Sequence, residues 1–110
     1  MENYSVEFLQ IAIDDLEEIV LYIAKDSVQE AMKMHDEIAN KSKKLSTFPK
    51  LGREVPDQKM RKMGFRMLAI SSYIAFYRVI DKKIYIYRVL HGRRNYPILS
   101  QCLANRGRDK

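Results

Sequence analysis

A chain of 110 residues with 46% hydrophobic and 31% charged residues has the balance of one soluble globular domain with a single modest core. No apolar run approaches the ~20 residues of a membrane helix, the acidic start Met1-Glu2-Asn3-Tyr4 has no signal-peptide character, and the lone Cys102 excludes an internal disulfide. The net charge of +6 is split unevenly: residues 1–49 hold 5 Lys/Arg against 10 Asp/Glu, and residues 50–110 hold 15 against 4.

These features imply a reduced, cytoplasmic setting and no membrane partner. The basic half suits a phosphate backbone or an acidic protein surface. Charge alone is equally explained by a well-solvated face.

Tyr4, Val6 and Phe8 alternate with Ser5 and Glu7, the period of a short strand. The period then changes. Leu9, Ala12 or Ile13, Leu16, Ile19 or Val20, and Ile23 recur every three or four residues and predict a helix over about 10–25. Asp14, Asp15, Glu17 and Glu18 sit early in it, toward the positive end of the helix dipole. Ser27 and Glu30 have capping-box spacing. A second helix is expected over about 28–46, with Val28, Ala31, Met32, His35, Ile38, Ala39 and Leu45 as its buried stripe. The short break between the two predicts an antiparallel helical hairpin.

His35 on that stripe reads as a core-edge residue, because no second ligand stands at metal-site spacing. Met32, Met34, Met60, Met63 and Met67 read as core filler. The stretch from Thr47 to Asp57 contains two prolines and a glycine and reads as an irregular connection. Residues 64–70 form a plausible strand, and Ser71-Ser72 a turn. Residues 73–80 and 84–91 then make a β-hairpin around Asp81-Lys82-Lys83. A two-residue turn would put Arg78 with Tyr85 and Tyr87, and a three-residue turn would put it with Ile86 and Arg88. Asn95 and Pro97 suit the start of a short helix.

The order β-α-α-β-β-β implies an α+β domain. A helical hairpin packs on one face of a twisted, mainly antiparallel four-stranded sheet, and the other face carries much of the basic charge. Residues 1–104 are read as one domain and 105–110 as a frayed basic tail.

No P-loop, dinucleotide fingerprint, nucleophile elbow or metal-ligand spacing is present. The carboxylates cluster on the helices, where solvation explains them. What remains for chemistry is Arg66, Arg78, Arg88, His91, Arg93, Arg94 and Tyr96 beside the sheet. Such a group can cleave RNA without a metal or cofactor. A base takes the 2′-hydroxyl proton, arginines stabilise the charged transition state, and an acid protonates the leaving oxygen. His91 is the natural acid or base near neutral pH.

Several strings carry a resemblance. They are Asp15-Leu16-Glu17-Glu18-Ile19, Phe48-Pro49-Lys50-Leu51-Gly52-Arg53, Phe76-Tyr77-Arg78-Val79, and Arg88-Val89-Leu90-His91-Gly92-Arg93-Arg94. In this order they resemble the RelE/ParE superfamily of toxins from bacterial type II toxin–antitoxin modules. The resemblance covers roughly residues 3–97. It implies a growth-inhibiting protein held inactive by a cognate antitoxin, with a toxin–antitoxin hetero-oligomer on operator DNA as a further expectation.

Two activities follow from the resemblance. ParE-like members inhibit DNA gyrase, and the second and fourth strings resemble that side more. RelE-like members cut mRNA on the ribosome, which here would employ Arg66, Arg88, His91, Arg94 and Tyr96. In the ribonuclease branch an arginine typically follows the aromatic residue that opens the hairpin strand, whereas here Ile74 follows Tyr73. Arg78, Arg93 and Arg94 are the candidates for binding the target or the antitoxin. A degenerate homologue that only binds antitoxin is the third possibility.

Overall fold

The two changes of period become two kinds of structure. The computed structural model describes residues 3–92, so expectations for Arg93, Arg94, Tyr96, a helix near Pro97 and the tail lie outside the described residues. The elements are β1 (Ser5–Phe8), α1 (Gln10–Ala24), α2 (Val28–Lys43), a 3-10 turn at Lys44–Ser46, β2 (Arg53–Glu54), α3 (Gln58–Lys62), β3 (Phe65–Ile70), β4 (Tyr73–Ile80) and β5 (Lys83–His91). The strands form one mixed sheet in the order β1-β5-β4-β3-β2. β1 runs parallel to β5, and every other neighbouring pair is antiparallel.

The α+β class and the helical hairpin stand as expected, but the sheet has five strands. β2 is two residues long and pairs with Met67 and Arg66. It lies in the connection read as irregular, where two prolines and a glycine hide so short a strand. α3 follows, capped by the Asp57 carboxylate accepting from the Met60 N–H at 2.9 Å. Gly64, at φ 89°, stands just past its C-terminus, a conformation that glycine adopts without a Cβ clash.

α1 starts at Gln10, and no acidic residue falls in its first turn. Asp14 and Asp15 are one turn too far along for the dipole role read from the sequence. Ser27 caps α2 by accepting from the Glu30 N–H at 3.1 Å. The backbone N–H of Ser27 goes to the Ile23 carbonyl, so that half of the capping box is supplied by α1.

The buried stripe of α2 differs from the expected one. Ala31, Ile38 and Ser42 are buried, as is Leu45 beyond the helix, whereas Val28 and Met32 are exposed. His35 is half-buried, with its Nδ1 3.4 Å from the Asp36 carboxylate. Ala12 of α1 with Ile38 and Leu45 packs on Leu68, Ile70, Ala75, Tyr77, Ile84, Ile86 and Val89, and this is the core under the hairpin.

The far face of the sheet also departs from expectation. In place of a basic surface it holds a second apolar layer: Leu9, Val55, Met60, Phe65, Met67, Ile74, Phe76, Tyr87 and Leu90. The short α3 and the chain around Val55 contribute Met60 and Val55 to it. Val55 lies in the Thr47 to Asp57 stretch that reads as an irregular connection, which hides its place in this layer.

Candidate functional site at the exit of the hairpin

The turn between β4 and β5 has two residues, Asp81 and Lys82, so Ile80 pairs with Lys83 and Arg78 with Tyr85. Of the two registers left open by the sequence, this is the one that sets Arg78 with Tyr85 and Tyr87. The register then slips. Tyr77 pairs with Ile86 but Phe76 pairs with Arg88, which leaves Tyr87 as the extra residue of a β-bulge.

The side chains around the bulge take different partners. Tyr87 packs edge-on against Phe65, with ring centroids 4.8 Å apart at 76°. Arg78 lies over the same Phe65 ring at 5.2 Å, and its Nη1 is 3.5 Å from the Tyr87 hydroxyl. Arg88 instead reaches α1, where it meets Asp15. Arg78 and Arg88 therefore have different partners and do not form one cluster.

The Asp15–Arg88 contact is two-pronged. Arg88 Nε donates to Oδ2 at 2.8 Å and Nη2 to Oδ1 at 3.0 Å. The Val89 N–H also donates to Oδ2, at 3.1 Å. Both side chains are largely buried, 16% and 13% exposed. The location explains the arrangement. β1 pairs with β5 only from Lys83 to Ile86, and the Leu9 N–H takes the Ile86 carbonyl as the chain turns into α1. Beyond that point β5 has no strand on this edge among the described residues, and Asp15 supplies an acceptor where a strand would.

Arg66 is engaged at the opposite side of the sheet. Its Nε and Nη2 donate to the Gly52 carbonyl at 3.1 and 2.7 Å. The neighbouring Tyr77, fully buried, donates its hydroxyl to the Pro49 carbonyl at 2.8 Å and accepts from the Gly52 N–H at 3.0 Å. A Cβ at Gly52 would stand 2.6 Å from the Met67 carbonyl oxygen and 2.8 Å from the Tyr77 ring. The Phe-Pro-Lys-Leu-Gly-Arg string is thus a loop locked onto the sheet by Tyr77 and Arg66, and glycine is the residue that permits the close approach.

His91 ends β5. Its ring stands edge-on to Tyr73 across the hairpin, with centroids 5.5 Å apart at 78°. The two rings line an open cleft of about 670 Å³ with Glu18, Tyr22 and Arg88. Beside them, Ile74 pairs with Leu90 and is buried in the far-face layer.

The sequence-derived set is therefore spread out. Arg66 and Arg88 each hold a distant part of the chain, Arg78 lies on the far face, and His91 lines the cleft. Asp15 and Tyr77, which sequence reasoning did not single out, anchor the two ends of the sheet. Tyr77 was marked only by the third of the strings that carry the resemblance, and Asp15 by the first string and by its place early in α1.

A family model described as the ParE toxin of the type II toxin–antitoxin system parDE matches residues 6–96. A structure titled as the chromosomal ParDE toxin–antitoxin system from P. aeruginosa is similar, with a TM-score of 0.66 and 25% identity over 80% of this chain and 95% of that one. The toxin–antitoxin complex RelBE2 from Mycobacterium tuberculosis shares the fold, with a TM-score of 0.54 and 23% identity over 83% of this chain and 93% of that one. No curated protein sequence matches the chain. The recurring strings, the hairpin-on-sheet architecture and the match over nearly the whole described chain place it in one family: the chain belongs to the ParE toxins of type II toxin–antitoxin systems.

Proposed function

We propose that the protein arrests growth when free, that a cognate antitoxin neutralises it, and that its target is DNA gyrase. The observation that carries the choice of target is Ile74. Where the resemblance to ribonucleases calls for an arginine, this chain has an isoleucine buried against Leu90 in an apolar layer. An apolar side chain offers nothing to a phosphate or to a developing negative charge. The engagement of Arg66 by Gly52 and of Arg88 by Asp15 supports the same reading, since both guanidinium groups already have acceptors within the chain.

Induction without a partner is expected to halt growth, and co-expression with the antitoxin to restore it. Purified protein is expected to inhibit gyrase supercoiling at micromolar concentration. Unimpaired supercoiling would remove gyrase as the target.

A second reading draws on His91, which lines the cleft beside Tyr73. On this reading the protein is a metal-free, ribosome-dependent endoribonuclease. His91 with Arg94 and Tyr96 carries the proton transfers and charge stabilisation, and Arg66 and Arg88 assist. Transcripts that stay intact after induction would dismiss it. Arg78, Arg93 and Arg94 are proposed to contact the target or the antitoxin, and the toxin–antitoxin complex to bind operator DNA. A chain that binds antitoxin but leaves growth unchanged would be a degenerate member of the family.

A further inference from the structure

The loop between the 3-10 turn and β2 is held firmly, yet two of its apolar side chains face outward. Leu51 donates its N–H to the Phe48 carbonyl at 3.0 Å, which closes a β-turn with Pro49 at its second position. The Phe48 N–H goes back to the Lys44 carbonyl at 2.9 Å. Tyr77 donates its hydroxyl to the Pro49 carbonyl and accepts from the Gly52 N–H. Arg66 Nη2 reaches the carbonyls of Gly52 at 2.7 Å and Lys50 at 3.5 Å. The main chain from Phe48 to Gly52 is thus tied to the rest of the fold. The turn sets Phe48 and Leu51 side by side, 60% and 44% exposed. With Thr47, Pro49 and Lys50 they line an open hollow of about 420 Å³. A phenyl ring so exposed adds little to the core, and a loop already ordered loses little entropy when it binds.

The charge around this ridge has one sign. Residues 41–53 hold Lys41, Lys43, Lys44, Lys50 and Arg53 and no Asp or Glu. Lys43, Lys44, Lys50 and Arg53 are exposed. An apolar ridge in a cationic field fits a partner of opposite charge that offers an apolar recess. A nucleic acid would also answer the charge, but its bases need flat rings to stack on. Phe48 is the single aromatic residue in 41–53, and Pro49 and Leu51 beside it are aliphatic. The ridge therefore suits protein side chains better than bases. Two copies meeting through it would set lysine against lysine.

We propose that the ridge of Phe48 and Leu51 is a contact to the target, seated in an apolar recess of an acidic protein surface, with the surrounding lysines steering the approach. This rests on the growth-arrest reading, with gyrase as the target assayed, and the two readouts below separate the failure of one from the failure of the other.

The test compares the full-length protein with Phe48→Ser, Lys50→Glu and, away from the ridge, Val28→Ser. It measures inhibition of supercoiling by purified gyrase, and growth arrest after induction at matched protein levels. Phe48→Ser and Lys50→Glu are each expected to raise the concentration for half-inhibition at least about tenfold and to relieve growth arrest. Val28→Ser is expected to change neither. All three sites are exposed, and equal urea midpoints check that the fold is kept. If Phe48→Ser lowers the midpoint, Lys50→Glu decides. Ridge variants that inhibit gyrase and arrest growth as the parent does would overturn the proposal and leave the gyrase reading intact. A parent that arrests growth but spares gyrase, with arrest lost in the ridge variants, would support the ridge and move the target to another protein. Arrest that persists in those variants would overturn the proposal in that case too, as would equal losses in Val28→Ser. A parent that does neither would end both readings. Binding of the parent to phosphatidylglycerol vesicles or to a single-stranded oligonucleotide, lost in Phe48→Ser, would overturn the proposal by making a lipid surface or a nucleic acid the occupant.

Discussion

Two side chains at opposite ends of the sheet bind distant parts of the chain, and each gives a residue-level prediction. Asp15 accepts three hydrogen bonds from β5 in a largely buried place. Removing it leaves the Arg88 guanidinium and the Val89 N–H without that acceptor. Asp15→Ala is expected to lower stability by about 3–5 kcal/mol in urea unfolding. Tyr77 presents one hydroxyl to both Pro49 and Gly52. Tyr77→Phe keeps the ring but strands a carbonyl and an N–H, and is expected to cost about 2 kcal/mol. Gly52→Ala forces a Cβ to within 2.6 Å of a backbone oxygen. An expected loss of about 3 kcal/mol or more follows, because the obstacle is main chain and cannot swing aside. The sequence placed Asp15 and Gly52 within recurring strings but not the physical task of either, since their partners stand 73 and 25 residues away.

At the level of elements, the two β-hairpin turns share an uncommon backbone. Ser71 and Asp81 each open a two-residue turn at φ 57°. That conformation suits the right-handed twist of the flanking strands but is unfavourable for a residue with a Cβ. Asp81→Gly is expected to raise stability by about 0.5 kcal/mol, as a rise in the urea midpoint at constant slope. The main elements were legible because their periods are strong. The helix over 10–25 is observed as Gln10–Ala24, and the hairpin strands 73–80 and 84–91 as Tyr73–Ile80 and Lys83–His91. What periodicity could not supply was the choice between neighbouring stripes. Ala12 or Ile13, and Ile19 or Val20, read equally well because α1 is apolar on two sides. β2 and α3 were not legible: two and five residues are too short to show a period. The bulge at Tyr87 is a departure from alternation that only the pairing with β4 defines.

For the whole molecule, the sheet is shared by both apolar layers. β4 contributes Ala75 and Tyr77 to the helix side, and Ile74 and Phe76 to the far side. Loss of either layer removes the support of the other. Unfolding is expected to be one cooperative transition, with far-UV circular dichroism and tyrosine fluorescence giving the same midpoint. Separate midpoints would mean that the helical hairpin opens alone. The candidate site was legible only as a set of residue types. Their division among structural anchors and the cleft needed the bulge and the two anchoring contacts. Part of the set, Arg93, Arg94 and Tyr96, lies outside the described residues.

β1 and β5 stand side by side, with Ser5 paired to Lys83 and Phe8 to Ile86. The first strand made is therefore the one that must wait for the last. During synthesis, β1 and α1 leave the ribosome long before their neighbour exists, and closing that long loop comes late. Until β5 is made, Asp15 has no Arg88 to hold, and the sheet lacks the strand that joins β1 to β4. Closing the sheet is therefore a late, long-range step, and it is the step that sets the folding rate.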